Sequence, residues 1–443
     1  EPLYHAAVAR AESDWIVGIN ATRALTCKYN AQLSCGRVQT PTLAMIAARE
    51  QEIRSFKPKS YYGLKAIADG ITFTWTDKKS HSPRTFDKER LQEIQSFKKN
   101  DFVITDIQKK EKHSFSPALY DLTALQQEAN QRYGYSAKQT LNIMQRLYEN
   151  HKILTYPRTD SRYLTEDMVG TLKERLQSCA VGPYKRVALK LANKPIKANK
   201  SFVNNKKVSD HHAIIPTEQF VQLENMSNEE RKIYDMVVRR FLAVLCPASE
   251  YEDTTVTASY NNETFLAKGT IYKTPGWREV YEDGNYSDVD YDEEELPMQT
   301  ASDSLMKLKS GMQLCVKTFT ITEGKTKPPA YFTEGTLIAA MENPVKYLAN
   351  RDKAIVKTLG ETGGLGTVAT RADIIEKLFN SFLMEKKGNE IHITSKGKQL
   401  LELVPEDLKK PELTASWELR LQAIAKGTQS DKQFMDEIQN YTK

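Results

Sequence analysis

Residues 154–164 read LTYPRTDSRYL and lie near the middle of a long, mostly helical region. Around them, residues 115–245 carry apolar runs at helical spacing, among them ALYDLTALQQEANQRYG and SAKQTLNIMQRLYENH. Apolar residues that recur every three or four positions line one face of a helix, and that face has to be buried. The sequence therefore predicts a helical domain that carries LTYPRTDSRYL.

Two strand-rich stretches flank this helical region. Residues 60–107 contain YYGLKAI, ITFTWTD and DFVITDIQ, and residues 253–322 contain DTTVTASY, ETFLAKGTIY and QLCVKTFTIT. These runs are short, alternating and rich in β-branched residues, as strands are. Because the two pieces bracket a helical block, we predict one β domain that the chain leaves and re-enters.

The two ends of the sequence are helical again. Residues 1–56 are periodic, with an interruption near 30–36 and a restart around Pro41, and the helical piece from 333 onward includes one short strand, IHITS. This order predicts a multidomain α+β protein in which the first and last pieces form one split domain. Such a chain can close into a ring. The predicted boundaries are 1–58, 59–114, 115–249, 250–331 and 332–443.

Composition narrows the class of protein. A chain of 443 residues with 40% hydrophobic residues is too long for one ordinary core, so we expect about two to four domains. No run of about 18 uncharged apolar residues is present, which argues against a membrane span. Five scattered cysteines without a CxxC pair argue against zinc fingers and disulfides and fit a reducing cytoplasm. A net charge of +6 is compatible with nucleic acid without demonstrating it.

The sequence starts without Met or a signal pattern, part-way into an amphipathic helical pattern, so we expect it to be a piece of a longer protein. One acidic segment, 282–295, contains Asp288, Asp290 and Asp292 at the spacing of a calcium loop. Such a loop requires Gly where this sequence has Glu293 and an acid where it has Gln299. We therefore predict a solvated loop.

The densest cluster of chemically capable side chains follows a short apolar strand predicted at 152–155. Tyr156 ends this strand, and Arg158 is two residues further on. A phenol with a pKa of about 10 is a poor nucleophile at neutral pH, unless a cation holds the phosphate that it attacks. The planar guanidinium of Arg158 suits a phosphodiester. On spacing alone, a strand-end tyrosine beside a surface arginine would also explain the pattern.

Six blocks of the sequence resemble, in the same order, the blocks of a known enzyme family. TYPRTDS (155–161) resembles the active-site motif of type IA DNA topoisomerases. One block would be a weak signal, but six ordered blocks that span nearly the whole chain are a strong one. The Pro after Tyr156 and the doubled histidine are more similar to the topoisomerase III branch than to topoisomerase I. The other blocks are ARAESDWIVGINATR (9–23), LSCGRVQTPTLAMI (33–46), SDHHAIIPTE (209–218), KPPAYFTEGTLIAAMEN (327–343) and GGLGTVATRADIIEKL (363–378).

The resemblance implies a toroidal enzyme whose helical domains are joined by a β-rich arch. In such an enzyme Tyr156 attacks one DNA strand and stays on the 5′ phosphate, while the 3′ hydroxyl is held nearby. The arch then opens, a second strand or duplex passes, and the 3′ hydroxyl reverses the reaction. The resemblance implies that His211 is near the scissile phosphate as a hydrogen-bond donor or proton shuttle; alone, it would more often be a structural histidine. No ATP is required, which agrees with the absence of a P-loop sequence.

Further candidates for DNA contact lie in the same blocks. Arg37 and Gln39 come just before a helix that Pro41 can begin, so they and the helix N-terminus can meet a phosphate. Thr370 can cap the helix that follows it, with Asp373 completing a box-like arrangement, and the glycines before it can bring backbone amides to DNA. Surface loops and a simple cap explain these patterns equally well. The remaining DNA-binding candidates are Arg23, Ser34, Asp160, Arg162, His212 and Arg371.

The family's metal site has no counterpart in this sequence. In type IA enzymes a Toprim domain precedes the ARAESDW block and supplies an acidic general acid, a lysine and the carboxylates that hold Mg²⁺. We found no carboxylate triplet at the end of an apolar strand, so we expect no metal site in this chain and little or no cleavage by it alone. The resemblance further implies single-stranded, negatively supercoiled or catenated DNA as substrate, a helicase partner, a monomer and a nucleoid-associated cytoplasmic location.

Two other classes of function are compatible with parts of the pattern. A tyrosine recombinase or type IB topoisomerase also uses tyrosine, but it would leave a 3′ phosphotyrosine and needs a different Arg/His/Lys arrangement. A non-catalytic module could bind single strands through an arginine- and aromatic-lined channel, with an affinity that falls as salt rises. Covalent capture of DNA at Tyr156 distinguishes the enzyme from the binding module.

Overall fold

The computed structural model describes residues 1–30, 33–97, 101–282, 299–300, 303–348 and 352–442. The acidic residues Asp288, Asp290 and Asp292 lie outside these described ranges. Within the described residues, no helix combines the length and the apolar character that a membrane crossing needs.

The helices are α1 (Pro2–Tyr29), α2 (Gln39–Ser55), α3 (Lys88–Ser96), α4 (Leu122–Tyr133), α5 (Ala137–Glu149), α6 (Leu172–Ser178), α7 (Lys185–Ala192), α8 (Asn228–Leu245), α9 (Asp303–Met306), α10 (Glu334–Glu342), α11 (Lys353–Glu361), α12 (Arg371–Asn380), α13 (Ser395–Leu403), α14 (Pro411–Ala425) and α15 (Asp431–Tyr441).

The β elements form one large sheet and one hairpin. The large sheet has the strand order β2-β1-β7-β3-β4-β5-β6, and β8 pairs with β9 in the hairpin. The strands are β1 (Ser60–Ala68), β2 (Ile71–Thr76), β3 (Asp101–Ser114), β4 (Ser249–Tyr260), β5 (Glu263–Thr274), β6 (Gln299–Thr300), β7 (Gln313–Lys325), β8 (Met384–Lys387) and β9 (Glu390–Ile393).

The large sheet closes on itself, because β2 pairs with β5 as well as with β1. Its pairings are antiparallel except for the short parallel contact between β5 and β6. Phe73, Trp75, Phe102 and Phe265 fill the interior, all fully buried. Strands from 60–114 and from 249–325 thus share one core, and the helical stretch between them leaves the sheet at β3 and returns at β4.

The helical stretch between β3 and β4 forms a second core from α4 to α8. Helix α8 starts at a capping box, in which Ser227 accepts a hydrogen bond from the backbone of Glu230 and the Glu230 side chain accepts one from the backbone of Ser227. Apolar side chains on both faces of α8 are buried, because α5 and α7 and the residues after β5 pack around it. This core supports the 154–164 segment.

Helices from the two ends of the sequence share a third core. α1 packs against α14 and α15, and α2 packs against α12, α13 and the β8–β9 hairpin. Val17, Leu43, Leu337 and Leu421 belong to this core and are almost completely buried. The N-terminal and C-terminal helices therefore fold as neighbours although hundreds of residues separate them.

The structure differs from the sequence-based predictions in several short elements. Helices α3 and α7 and strand β8 were not predicted, because each is short and its apolar spacing is too brief to show a period. The prediction of a strand at 152–155 was wrong. The segment makes a single β-bridge, between Leu154 and Pro216, and Lys152 has a positive φ of 59°, which interrupts an extended backbone.

Candidate active site

Two extended segments bring Tyr156 and His211 together. Leu154 forms an antiparallel bridge with Pro216, and the Thr155 amide donates to the carbonyl of Ile215 at 3.0 Å. The hydroxyl of Thr159 donates to the carbonyl of His211 at 3.3 Å. Segments that are 52 residues apart in sequence thus run side by side. Tyr156 lies on one of these extended segments and His211 on the other.

The Tyr156 ring is half-buried between two other rings. The imidazole of His211 is 4.2 Å away between ring centroids, at an interplanar angle of 35°, and the Tyr148 ring meets Tyr156 edge-on at 5.6 Å. Tyr148 comes from α5, so one of the two rings in contact with Tyr156 is held by a helix. His211 itself is exposed and can approach a ligand.

Arg158 is held by the same helix as Tyr148. Its Nη1 donates to Oε1 of Gln145 at 2.9 Å, and Gln145 in turn donates through Nε2 to Glu149. Gln145 and Glu149 are one helical turn apart on α5. A guanidinium held by one hydrogen bond keeps its other N–H groups available for an anion.

Asp160 and Arg162 follow Arg158 on the same segment but point to different surroundings. Arg162 donates through Nε to Oδ2 of Asp121 at 2.6 Å, while the other oxygen of Asp121 caps α4 at the amide of Ala124. The side chain of Arg162 is 41% exposed. Asp160 is exposed and lines the cleft described below. Arg162 therefore combines a structural ion pair with a solvent-facing side.

His212 has a half-buried, structural environment that differs from that of His211. Its Nδ1 is 2.7 Å from the carbonyl of Ala213, and a carbonyl can only accept, so Nδ1 carries the proton. Burial lowers the pKa of His212, against the opposing effect of this hydrogen bond. The ring is therefore neutral at neutral pH, and its Nε2 is left as an acceptor.

An open cleft of about 530 Å³ joins this segment to the glycine-rich stretch before α12. Arg158, Asp160 and His211 line one wall, and Glu342 and Arg371 belong to the other. Four carboxylates and two arginines contribute to the lining. The cleft brings together four of the predicted site residues from two distant parts of the sequence. The complete lining is Arg158, Asp160, Ser209, Asp210, His211, Glu342, Gly360, Glu361, Thr362, Gly363, Thr367, Val368, Ala369 and Arg371.

Arg371 organises the glycine-rich wall from within. Only 2% of its side chain is exposed, and its guanidinium donates to the carbonyls of Gly363 and Leu365 and to the hydroxyl of Thr123. Burial lowers the pKa of Arg371, against the charge of Glu342, whose Oε1 lies 3.9 Å from Nη1. Such a committed guanidinium shapes the loop rather than meeting a ligand directly.

The cap predicted at Thr370 was wrong. α12 begins at Arg371, but the hydroxyl of Thr370 accepts from the amide of Thr367 at 3.0 Å instead of capping the helix. Asp373 does not complete a box, since its carboxylate pairs with Lys138 at the start of α5. The reason is that Thr370 has helical backbone angles, which turn its side chain back into the preceding turn.

The LSCGRVQTPTLAMI block forms a compact turn before α2. Arg37 is 8% exposed, and its guanidinium makes a two-bond contact with Asp14, at 2.7 and 2.9 Å, and a third bond to Glu418 at 3.2 Å. Gln39 donates to the hydroxyl of Ser34 at 3.0 Å. Arg37 therefore joins α1 to α14. Arg23, which was also predicted to contact DNA, is exposed on α1.

Sequence reasoning did not single out Glu342, Gln145 or Tyr148. Glu342 is a cleft residue whose pKa is raised by burial and by the nearby charge of Asp121, against Arg371. A signal existed for it, because Glu342 is the second-last residue of the KPPAYFTEGTLIAAMEN block. For Gln145 and Tyr148 only the helical periodicity of α5 was visible, and periodicity does not reveal which exposed side chain meets the 154–164 segment.

The sequence of this chain is similar to those of one known protein family. A family model described as DNA topoisomerase matches residues 1–436. The chain belongs to the type IA DNA topoisomerases. This topoisomerase chain is 57% identical over 444 residues to DNA topoisomerase 3 of Bacillus licheniformis and 56% identical over 442 residues to that of Bacillus subtilis. Each match covers 100% of this chain and 60% of the relative, so the chain spans about 60% of the length of these curated relatives.

A solved structure is similar over nearly the same extent. Full-length topoisomerase I from Thermotoga maritima matches with a TM-score of 0.73 and 25% identity, over 98% of this topoisomerase chain and 67% of that chain. The type IA family and the α+β fold class predicted from the sequence are thereby confirmed.

The residues described for this topoisomerase chain do not fit a Mg²⁺ site. Among them, no group of three His, Cys, Asp or Glu side chains is arranged to hold a metal ion. The four carboxylates of the cleft come from different segments, and Glu342 is engaged with Arg371. No step of the chemistry below is therefore assigned to a metal on this chain.

Proposed function

We propose that this chain is the body of an ATP-independent topoisomerase that cleaves and rejoins one DNA strand through Tyr156. The observation that carries the proposal is the packing of Tyr156 against His211, which lines the cleft together with Arg158. Strand passage through the break would relax or decatenate DNA. These steps rest on the family membership and on this local geometry together.

In the proposed reaction the Oη of Tyr156 attacks the phosphorus of one phosphodiester. The Oη–P bond forms, the P–O3′ bond breaks, the phenol loses its proton, and the 3′ oxygen gains one. The product is a 5′-phosphotyrosine ester and a 3′ hydroxyl. Because one phosphate ester replaces another, the bond energy is kept and the reverse step needs no ATP.

Arg158 and His211 have separate roles in this proposal. Arg158 binds a nonbridging phosphate oxygen, since Gln145 holds only one of its N–H groups and orients the rest. His211, exposed and stacked on Tyr156, binds or moves a proton at the same phosphate. Asp160, Asp210 and Glu342 also line the cleft and repel phosphates, so the scissile phosphate lies beside Arg158.

The remaining parts of the active site are proposed to lie in the portion of the relatives that this chain does not span. There, a Toprim domain would hold Mg²⁺ and supply the acid that protonates the 3′ oxygen. We therefore expect the chain alone to cleave DNA poorly. Single-stranded, supercoiled or catenated DNA as substrate, a helicase partner and action as a monomer at the bacterial nucleoid are further parts of this proposal.

Covalent trapping tests the proposal. A 3′-labelled single-stranded oligonucleotide is incubated with the chain and Mg²⁺, with and without a separately prepared Toprim domain, and quenched with SDS. We expect a shifted, protease-sensitive band only when both parts are present. The band should disappear in Tyr156→Phe and persist in Tyr148→Phe, because Tyr148 touches the nucleophile without being one.

The outcomes separate the alternatives. Persistence of the band in Tyr156→Phe would contradict Tyr156 as the nucleophile. A band from the chain alone would contradict the predicted inactivity. DNA binding without any band under either condition would favour a non-catalytic single-strand-binding module.

A further inference from the structure

A second cavity lies far from the Tyr156 segment in sequence and is built from α7, the end of α8 and the residues between 193 and 202. Its volume is about 440 Å³, within the range of ligand pockets. The floor is apolar, and Phe202, Val187 and Val244 in it are 3%, 5% and 7% exposed. The complete lining is Val187, Lys190, Leu191, Lys194, Pro195, Ile196, Lys197, Asn199, Phe202, Val244, Leu245, Cys246, Pro247 and Glu279.

The rim of this cavity is cationic. Lys190 is neutralised by Glu279, at 2.7 Å. Lys194 and Lys197 are exposed, and neither has an ion-pair partner among the described residues. Burial and the charge of Glu279 raise the pKa of the Cys246 thiol to about 12, whereas the charges of Lys190 and Lys194 act to lower it. Both ammonium groups are therefore close enough to Cys246, a residue of the cavity wall, to affect its pKa.

We propose that this cavity binds a short acidic peptide segment of a partner protein, with one apolar side chain on the floor and carboxylates at Lys194 and Lys197. Lys194 and Lys197, the two lining cations without an ion-pair partner among the described residues, lie on one segment beside the floor. This spacing suits several negative charges spread along a chain better than one small anion. The apolar floor adds specificity, because it rewards a large aliphatic or aromatic side chain.

Nucleic acid fits this cavity less well than an acidic peptide. The lining contains no arginine among the described residues, and its aromatic ring, Phe202, is only 3% exposed, which is too little for base stacking. The proposal does not depend on chemistry at Tyr156.

Fluorescence anisotropy on the 443-residue chain tests the charge requirement. The probe is a labelled peptide with three aspartates followed by leucine and phenylalanine. We expect saturable binding that weakens with salt and falls at least about tenfold in the double variant Lys194→Glu/Lys197→Glu. Lys200→Glu is the matched control, since Lys200 is exposed in the same loop but does not line the cavity. It should change the affinity less than about twofold.

Chemical protection of Cys246 tests the location. Alkylation of the cysteines at alkaline pH is measured by mass spectrometry, with and without the unlabelled peptide. The peptide should slow the alkylation of Cys246 and leave that of the exposed Cys315 unchanged. Equal weakening by the Lys200 control, or equal binding of a peptide with serine in place of leucine and phenylalanine, would overturn the proposal. Protection of Cys246 by an oligothymidylate but not by the peptide would also overturn it, in favour of nucleic acid.

Discussion

The predicted site residues around Tyr156 and the cleft fall into two groups. Some are hydrogen-bonded to the protein itself, and others are available to a ligand. Among the described residues, Arg158 and His211 each keep polar groups free at the cleft, whereas Arg371, which is buried, and His212, which is half-buried, are hydrogen-bonded to carbonyls of the chain. All four were predicted as site residues from similar sequence signals. A guanidinium or imidazole is available only where the local backbone leaves it unpaired, and sequence alone does not determine this.

His212 predicts a specific pH dependence of stability. Burial lowers its pKa from 6.5 in the folded state, so the unfolded state binds more protons than the folded state as pH falls through 6.5. The stability contributed by neutral His212 is fully present above 6.5 and is lost as pH falls through that value. We expect His212→Gln to remove this component.

Urea unfolding of both proteins at a series of pH values measures this effect. The difference in the free energy of unfolding between the native chain and His212→Gln should shrink as pH falls. A difference that is constant across the same range would contradict a half-buried, neutral imidazole.

Among the elements, the glycine-rich turn between α11 and α12 determines the shape of the cleft. Gly363, Gly364 and Gly366 have positive φ angles of 77°, 80° and 69°. At Gly364, an added Cβ would lie 2.2 Å from the carbonyl oxygen of Met341 and 2.3 Å from that of Glu342. The turn thus needs a residue without a side chain, both for its backbone angles and for its close approach to α10.

Gly364→Ala should lower the free energy of unfolding by about 2 kcal/mol or more, because it adds strain at positive φ and a clash with backbone. Gly360→Ala is the matched control in the same region: it lies within α11, and a Cβ there meets nothing within 4 Å. We expect the control to be neutral or to stabilise by up to about 1 kcal/mol.

Equilibrium unfolding in urea measures both variants. An alanine at 364 that costs less than the alanine at 360 would contradict the geometry of the turn. Because Arg371 donates to carbonyls of the same turn, the Gly364 variant should also reduce any adduct formed at Tyr156.

At the scale of the whole molecule, a buried cation adds to the shared apolar core in joining the two ends of the chain. Arg37 joins Asp14 of α1 to Glu418 of α14, and its side chain is 7% exposed. Arg10 also contacts Glu418, but its side chain is 49% exposed. The same carboxylate therefore has one buried and one solvent-screened partner.

Arg37→Met should lower the free energy of unfolding by about 2–4 kcal/mol, because it leaves the mostly buried carboxylate of Glu418 with weaker compensation. Arg10→Met should cost less than about 1 kcal/mol, since its pair is screened by water. Hydrogen exchange should show faster opening of α1 and α14 in the first variant only. Equal effects of the two substitutions would contradict the structural role of Arg37.

Local sequence patterns determined most elements and the identity of the reactive segment. The alternation of β4 and β5, the periodicity of α1 and α8, and the six family blocks are all visible without coordinates. This is because backbone propensity and the burial of one face act over a few residues at a time. Short elements such as α3 and α7 were missed, since their patterns span too few residues to show a period.

Only the tertiary structure decided which side chains meet. The bridge from Leu154 to Pro216 brings His211 beside Tyr156, and α5 supplies Gln145 to Arg158. The cleft combines this segment with a turn from the C-terminal part of the chain. The physical reason is that a contact between distant segments depends on the packing of whole elements, which sets distance and burial. The residue types alone fix only what each side chain is able to do once it arrives there.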